Sequence, residues 1–515
     1  MKYKALVISA AAVGALALGY LGTTRWAGVE AERTLERQRQ LLTDLPYFVI
    51  KSHEYQRGWF SSSERATLAL NPNIVKPYAE LLKLAGHDIE GMTGQDLSKL
   101  EFTYVQTVRH GPFPLLKQGD FSLLKAAVTT DFQFSPDLRE TLSEIFGEQP
   151  PLQLENRIRF DDEGAFALRI PKFNRQSKLA KARSIWEGLE AQIRYGRDFT
   201  RVDIDAKAPY FLFEVNQERS RRIELKGMEF TARHTRAFGD VMLGDSQLKL
   251  VEASAKDSGL PVELLLRNMV YKTGATAQGE FVDSRRDVGL EQMVLNGKTY
   301  GPAKLVAEAN HLHGPTLGKL SPLLTKIQRE NPDPRVQARK GFDLFLKEGL
   351  PLLRNEPQLA IRQLSVKLPD GEVSFRADLA LKGFQDPDID NPAQLLSKLN
   401  ARADLRVPKQ VLETYVLWQA RSMIATDTAE GEQPNAADLD NLARNLMEVQ
   451  IKRLTQQKLI RVEGKDLATT AEWKAGKLLV NGNHVPLPWQ IPTKSSELPQ
   501  VGGDEATVEE NEEPD

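Results

Sequence analysis

The sequence contains no cysteine and only seven histidines in 515 residues. The absence of cysteine excludes disulfide bonds, thiolate zinc sites, iron–sulfur clusters, a thiol nucleophile and a lipid anchor attached through cysteine. Neither sign of charge prevails, because 68 Lys and Arg residues stand against 70 Asp and Glu residues. A general nucleic-acid-binding protein carries a basic excess, so we expect no nucleic-acid partner.

One uncharged apolar run opens the chain, from Ala5 to Gly22. As a helix it would span about 27 Å, close to the hydrocarbon thickness of a bilayer. Three interpretations compete: an uncleaved signal-anchor over residues 1–25, a cleaved secretory signal, and a buried core helix. The small-residue cleavage site, Ala15–Ala17, lies inside the apolar run, which favours the uncleaved anchor. We expect a single-pass protein with its bulk outside the cytoplasm.

Composition and periodicity predict an α+β fold, in which a transmembrane helix precedes a large, mainly antiparallel, curved β-sheet body with packed helices. The segment after the anchor is charged and helical, and it is either a stalk or the first surface helix of the body. The predicted segments are the anchor (1–25), the stalk helix (26–46), an N-terminal α+β part (47–198), a β-rich antiparallel sheet (199–314), a C-terminal α+β part (315–492) and an acidic disordered tail (493–515).

The antiparallel sheet is predicted from alternation of apolar and charged residues, as in Arg201–Asp205. Such alternation is typical of strands with one buried and one wet face. A hairpin is predicted from Tyr47–Tyr55 and Ser61–Leu70, with its turn at Gly58. Helices are predicted at Val75–Ala85, Pro136–Phe146, Lys178–Arg194, Pro315–Arg329, Pro334–Leu353, Pro408–Ile424 and Ala436–Leu459.

Four short motifs resemble functional sites, and each lacks a required feature. Asn296–Thr299 resembles the end of a phosphate-binding loop, but Gln292 stands where the first glycine is needed, so a hairpin turn is predicted instead. Asp386–Asp390 lacks the glycine and the final carboxylate of a calcium loop. Ser246–Lys249 lies in a strand pattern rather than on a catalytic helix. His311–His313 precedes a Gly-Pro loop signal. We therefore predict no catalytic, cofactor-binding or metal-binding residue.

Several ordered segments resemble the YdgA-like family of Gram-negative inner-membrane and periplasmic proteins, whose domain has no known function. The resemblance rests on the anchor and on five segments that follow it and are spread over most of the chain. They are Tyr55–Ser62, His110–Pro114, Tyr300–Leu305, Asn310–Pro315 and Lys477–Gly482. The resemblance implies a periplasmic body tethered to the bacterial inner membrane, with no established enzyme activity. It supplies no catalytic residues. The motif residues, interpreted as structural, are Arg57, Gly58, Trp59, Phe60, Ser61, His110, Gly111, Pro112, Tyr300, Gly301, Pro302, Asn481 and Gly482.

The turn at residues 56–60 gives the most specific structural expectation. Gly58 is expected to adopt a positive φ, which glycine enters without steric cost. Consecutive residues of an extended segment point to opposite faces, so either Trp59 or Phe60 should lie in the core and the other at an exposed edge.

From these features we expect a non-enzymatic envelope protein that binds or bridges lipid or protein partners. The long alternating stretch under a membrane anchor suggests an apolar sheet face that holds acyl chains or a partner strand. The alternatives are a hydrolase acting on an envelope polymer and a pure protein-interaction scaffold. The expected partners are the inner membrane and lipid or an envelope protein.

Overall fold

A computed structural model describes residues 2–44, 48–71, 101–177, 181–216, 220–258, 262–331, 333–426 and 436–486. The helix predicted at Val75–Ala85 and the tail predicted at 493–515 lie outside these residues. Side chains of the first helix are described only from Gly19 to Gln40.

The N-terminal third of the described chain contributes nine strands, most of them short. They are β1 (Phe48–Gln56), β2 (Ser61–Leu70), β3 (Glu101–His110), β4 (Ala126–Phe134), β5 (Gln153–Ile158), β6 (Gly164–Ile170), β7 (Phe173–Ser177), β8 (Ala182–Trp186) and β9 (Leu189–Tyr195).

Longer strands follow in the centre, where five successive strands hold 15 to 18 residues each. The central strands are β10 (Arg201–Asn216), β11 (Ser220–Ala237), β12 (Val241–Asp257), β13 (Val262–Gln278), β14 (Phe281–Leu295), β15 (Lys298–Tyr300) and β16 (Ala303–His313). The β-rich stretch predicted between residues 199 and 314 is thereby confirmed. The C-terminal strands are β17 (Gln358–Leu368), β18 (Gly371–Leu381), β19 (Leu399–Pro408), β20 (Arg461–Glu463), β21 (Asp466–Lys474), β22 (Lys477–Val480) and β23 (Asn483–Val485).

All these strands belong to one open, antiparallel sheet. Its path runs from β1 through β6 to β9 and β10, continues through β14 to β16, and reaches β23 by way of β19 and β21. The long β10 pairs with β11 along one edge, and with β9 and then β8 along the other. The mainly antiparallel α+β fold expected from the alternation is confirmed.

Eight α-helices accompany the sheet in the described ranges. They are α1 (Lys2–Asp44), α2 (Pro136–Phe146), α3 (Gly314–Glu330), α4 (Pro334–Leu344), α5 (Leu350–Arg354), α6 (Pro392–Lys398), α7 (Lys409–Thr426) and α8 (Ala436–Gln456). The helix predicted over Pro334–Leu353 is interrupted by a π-helical turn at Phe345–Gly349.

The helix predicted at Lys178–Arg194 is wrong. The segment holds β8 and β9, which meet at Gly188 with a φ of 95°. In β9, Leu189, Ala191, Ile193 and Tyr195 are more buried than the charged and polar residues between them, so strand alternation replaces helical periodicity. Pairing with β6 and β10 on both sides outweighs the helix propensity of the Leu, Glu, Ala, Gln and Arg side chains.

Helix α1 packs on the N-terminal strands with one narrow face. Thr24, Ala27, Ala31, Thr34 and Leu35 are each at most 4% exposed, and their spacing of three and four residues defines one side of a helix. Ala31 and Leu35 enter the same buried cluster as side chains of β3, β4 and β5. This packing favours a surface helix of the body over a free stalk for the described part of the segment 26–46.

Among the helical residues with described side chains, none forms an apolar segment long enough to cross a membrane. The anchor predicted at residues 1–25 is not supported by the structure and stays a prediction, as do the segment boundaries near residues 46, 198, 314 and 492.

Candidate functional site

A cavity of about 530 Å³ lies between α1 and the N-terminal strands. This volume is within the range of roughly 300–1,000 Å³ that is typical of small-molecule sites. The apolar part of its wall consists of Leu35, Phe48, Leu68, Phe102, Phe132, Leu154, Phe166 and Phe199.

Strand register places the aromatic side chains of this wall next to each other. Leu68 pairs with Phe102 across β2 and β3, and Tyr104 pairs with Phe132 across β3 and β4. The ring centroids of Phe102 and Phe132 lie 6.2 Å apart, and the ring of Phe48 meets Phe102 edge to face at the same distance. Aromatic rings in these arrangements stabilise the fold by more than the burial of their apolar area alone contributes.

A buried carboxylate, Glu64, forms the polar side of the cavity. Its Oε1 atom accepts hydrogen bonds from Nη1 of Arg39 at 2.9 Å and from the Tyr104 hydroxyl at 3.3 Å. Nε2 of His53 lies 3.0 Å from the same oxygen. Burial and the Glu64 charge raise the pKa of Tyr104, so the phenol stays protonated and donates. The Glu64 charge is therefore paired within the protein.

Arg236, near the end of β11, also lines the cavity. Its Nε atom is buried and has no hydrogen-bond partner in the part of the chain that the structure describes. Arg39, by contrast, is bound to Glu64. A buried guanidinium N–H without an acceptor is costly, and an anionic oxygen is the acceptor that satisfies it best. The cavity thus combines a large apolar wall with one available cationic donor.

A second buried network fixes α1 to the sheet at Lys125. Nζ of Lys125, which is 1% exposed, donates to the Asp162 carboxylate and to Oγ1 of Thr34 on α1, the latter at 2.9 Å. Thr34 in turn donates to Oδ1 of Asp162 at 2.9 Å. Burial raises the pKa of Asp162, but the hydrogen bonds from Lys125 and Thr34 and the charges of Lys125 and Arg37 outweigh it, so the net shift is downward.

His110 and Ser62 form a serine–histidine pair beneath α1. Nδ1 of His110 lies 3.1 Å from the Thr24 carbonyl oxygen, and Nε2 lies 3.2 Å from Oγ of Ser62. Because a carbonyl only accepts, Nδ1 carries the proton and Nε2 accepts from Ser62. Burial lowers the pKa of His110, with Arg25 and Arg57 adding to the effect, and this favours the neutral ring.

This pair has the contacts of a nucleophile and its base, and the sequence analysis missed it. His110 is 3% and Ser62 4% exposed, and neither lines the cavity. The imidazole instead packs closely against α1 at Gly28. A Cβ added to Gly28 would lie only 2.6 Å from Cε1 of His110. The pair therefore has the geometry of a packing contact, and Gly28 permits the close approach of helix and ring.

The motif residues around position 58 also meet α1. Arg57 donates to the Glu32 carboxylate of α1, with Nε 2.6 Å from Oε2. The expectation of a positive φ at Gly58 is wrong. Glycine is needed there for space, since a Cβ would lie 2.1 Å from the Ser61 carbonyl oxygen.

The core position expected for either Trp59 or Phe60 is wrong as well. Trp59 is 63% and Phe60 54% exposed. Both residues lie in the bend before β2 rather than in a strand, so the alternation of strand faces does not apply to them. The ring of Trp59 lies under the guanidinium of Arg25, with 5.9 Å from Cζ to the ring centroid.

The structure brings the first two of the five motif segments together and leaves the other three elsewhere in the fold. The amide of His110 donates to the Phe60 carbonyl at 3.1 Å, and Ser61 pairs with Arg109. Gly111, with a φ of 123°, lies against Thr24 of α1. The Pro112 carbonyl accepts from the amide of Leu124 at 3.3 Å, which closes the loop between β3 and β4.

The remaining motif residues shape turns. Tyr300 ends β15, and the amide of Gly301 donates to the Lys367 carbonyl at 2.7 Å, before a cis bond to Pro302. Oδ1 of Asn481 accepts from the Thr470 amide at 3.0 Å and from Arg461 at 2.6 Å; Gly482 follows with a φ of 79°.

A protein-family model described as "Bacterial protein of unknown function (DUF945)" matches residues 1–488. The chain belongs to this family. No curated protein and no solved structure matches it. The finer resemblance of this DUF945 protein to YdgA-like envelope proteins stays a prediction.

The motifs dismissed from the sequence have other partners in the DUF945 fold. Asn296 and Gly297 have φ values of 49° and 76°, which confirms the hairpin turn. His311 has a φ of 59°, and its Nδ1 lies 2.6 Å from the Asn355 carbonyl oxygen. Nδ1 of His313 is bound instead to Thr316 at 2.7 Å, so the Nδ1 atoms of the two imidazoles have different partners.

The acidic run and the Ser-x-x-Lys segment are likewise engaged in structural contacts. Asp386 binds Arg354, with Oδ1 2.6 Å from Nε. Asp388 accepts from Nζ of Lys398 at 2.5 Å. Oγ of Ser246 lies 3.0 Å from Nε2 of His234 on the neighbouring strand.

Proposed function

We propose that this DUF945 protein is a non-enzymatic envelope protein, anchored in the bacterial inner membrane through residues 1–25, whose periplasmic body binds an anionic amphiphile beneath α1. The observation that carries the proposal is the mainly apolar cavity with Arg236 in its wall, whose buried Nε atom has no acceptor among the described residues.

The residues that line the cavity indicate which class of ligand would bind there. Phe102, Phe132 and Leu154 offer apolar surface of the kind that an acyl chain buries favourably, at roughly 25 cal/mol per Å². Arg236 offers charge-assisted hydrogen bonds to a carboxylate or phosphate. Glu64 is already bound to Arg39, so it leaves Arg236 free to pair with the ligand. A fatty acid or another single-chain acid fits both requirements.

The test uses the full chain in phospholipid vesicles and a palmitate analogue with a photoactivatable diazirine at the end of its acyl chain. After irradiation, mass spectrometry maps the labelled residues. We expect labelling of β3, β4 and β5, at Phe102, Phe132 and Leu154. Labelling spread over the exposed surface, with none in these strands, would contradict the proposal.

Two variants and a control separate chain binding from headgroup binding. Leu154→Trp narrows the cavity at its apolar wall and should reduce labelling. Arg236→Gln should reduce it about tenfold, as expected for the loss of one charge-assisted interaction. Arg169→Gln, which removes a 62% exposed side chain from a surface pair with Glu190, should leave labelling unchanged. An uncharged photoactivatable hexadecanol should bind independently of Arg236.

A further inference from the structure

Helix α1 leaves the body at Thr24. Thr24 is 1% exposed, whereas residues 19–23 before it are all exposed. The helix is continuous from Lys2 to Asp44, so no flexible linker separates the apolar run from the body. The position of the body relative to the apolar run is therefore set by helix geometry alone.

Exposed apolar side chains lie on α1 next to this exit point and in two segments that contact α1 near it. Trp26 is on α1 itself, and Trp59 and Phe60 are in the bend before β2. The loop between β3 and β4 adds Phe113, Phe121 and Leu123 beside Leu116, which is 48% exposed. We define the collar as six of these residues, which are between 38% and 72% exposed: Trp26, Trp59, Phe60, Phe113, Phe121 and Leu123.

Backbone and side-chain contacts tie the collar to the first turns of α1 within the body. Trp59 lies under Arg25, and Trp26 stacks on Phe160 with 6.0 Å between ring centroids. The bend at Phe60 is bonded to the start of the next loop at His110, whose ring binds the Thr24 carbonyl. Trp26, Trp59 and Phe60 are thus held next to α1, and the loop with the other three collar residues begins at Gly111, against Thr24.

We propose that the collar is a membrane-seating surface that inserts into the lipid headgroup layer around α1. This inference rests on the proposed membrane anchor. If Ala5 to Gly22 spans the hydrocarbon, Thr24 lies only about 3 Å beyond it, at 1.5 Å per residue. The headgroup region on each side of a bilayer is roughly 5–8 Å thick. The side chains around Thr24 must then lie within that layer, where Trp and other amphipathic aromatics are enriched.

Charge next to the collar is consistent with a lipid surface. Arg25 lies over the ring of Trp59, and Lys117 lies in the same loop as Phe113 and Phe121, which also holds Asp120. Cations at this depth attract anionic headgroups, while their apolar neighbours enter the acyl boundary. A soluble partner protein would not require these exposed residues to follow the exit of the helix.

The absence of cysteine makes the test direct, because each introduced cysteine is the only thiol in the chain. Phe60→Cys and Leu123→Cys report on the collar. Leu442→Cys and Trp418→Cys, on α8 and α7, are matched controls with 56% and 64% exposure. Each full-length variant is labelled with a nitroxide and reconstituted in vesicles of phosphatidylethanolamine and phosphatidylglycerol in equal amounts.

The readout is collision of the nitroxide with oxygen, which partitions into lipid, and with a water-soluble nickel chelate. We expect labels at positions 60 and 123 to collide preferentially with oxygen, and labels at 418 and 442 with the nickel chelate. If the protein floats with the vesicles but positions 60 and 123 are as accessible to nickel as the controls, the collar proposal is wrong and the anchor stands. If the labels are shielded from both reagents, the collar proposal is wrong and the collar contacts protein instead of the membrane. A chain that does not float with vesicles would refute the anchor, and the collar proposal with it.

Discussion

The docking of α1 depends on the ammonium group of Lys125, and the variant Lys125→Met tests this dependence. Methionine keeps much of the length of the side chain and removes its charge. The substitution leaves Asp162 without its closest cation, and Thr34 keeps only the longer hydrogen bond from Nη2 of Arg37, at 3.5 Å. Removing one partner of a buried ion pair costs about 3–5 kcal/mol. Asp162 retains Arg37 at 3.5 Å and Arg197 at 3.7 Å, so we expect the lower end, about 3 kcal/mol.

Hydrogen exchange measures the loss where it occurs. The amides of α1 between Thr24 and Arg37 should lose roughly 100-fold in protection, which corresponds to about 3 kcal/mol in the free energy of opening. The control is Arg159→Met in the neighbouring turn. Arg159 is 59% exposed and pairs with Asp161, so its loss should cost less than about 1 kcal/mol. Equal protection of α1 in the Lys125→Met variant and the wild type would refute the reasoning.

The pH dependence provides a second check on the same pair. The net pKa of Asp162 is lowered in the folded protein. A carboxyl group whose pKa is lowered by folding stabilises the folded protein at pH values above its unfolded pKa, which is near 3.9. This stabilisation is lost as the pH falls through the lower pKa of the folded state. The difference between the wild type and Lys125→Met should therefore be complete at neutral pH and should shrink below about pH 4. A difference that grows on acidification would contradict this assignment.

Three further predictions concern other parts of the chain. Burial lowers the pKa of His110, so the melting temperature should fall as the pH drops below about 6.5, where the imidazole of the unfolded chain binds a proton first. His110→Asn should make the melting temperature less dependent on pH in this range. An unchanged pH dependence would count against the buried neutral ring. Gly58→Ala should destabilise by more than about 1 kcal/mol, because its Cβ would meet the Ser61 carbonyl at 2.1 Å; an unchanged urea midpoint would contradict this. Deletion of residues 495–515 should leave the melting temperature unchanged, since so acidic a segment has little apolar surface to bury; a fall of several degrees would indicate that the tail packs.

Strands could be predicted from the sequence wherever local alternation and turn chemistry agree. The segment Arg201–Asp205 alternates strictly, and it lies in β10 as expected. The Asn296-Gly297 pair supplies the two positive φ values that a tight hairpin requires. At β9 the pattern was ambiguous, because its residues favour helices and alternate as well. There the flanking strands decide the structure, and neither flank is visible in the local sequence.

The candidate site could not be predicted, because its parts come from distant positions in the chain. Ser62 and His110 meet only because β2 and β3 are in register. Arg236 reaches the cavity from β11, whereas α1 contributes Leu35, Gln38 and Arg39 to the same wall. No short sequence motif indicates that Ser62 contacts His110 or that Arg236 lines the cavity. For Trp59, an aromatic residue beside a strand suggested burial, whereas its place in a bend leaves it exposed.

The order of strands in the sheet has a consequence for how the protein is made. From β1 to β6, and from β9 onward, nearly every strand pairs with one that immediately precedes it in the chain. Each new hairpin therefore finds its partner edge already synthesised, which limits the loops that must close during folding. The wall of the cavity is different, since Phe199 and Arg236 are synthesised long after α1. A nascent chain can dock α1 early, but the wall of the cavity is complete only after β11 has emerged.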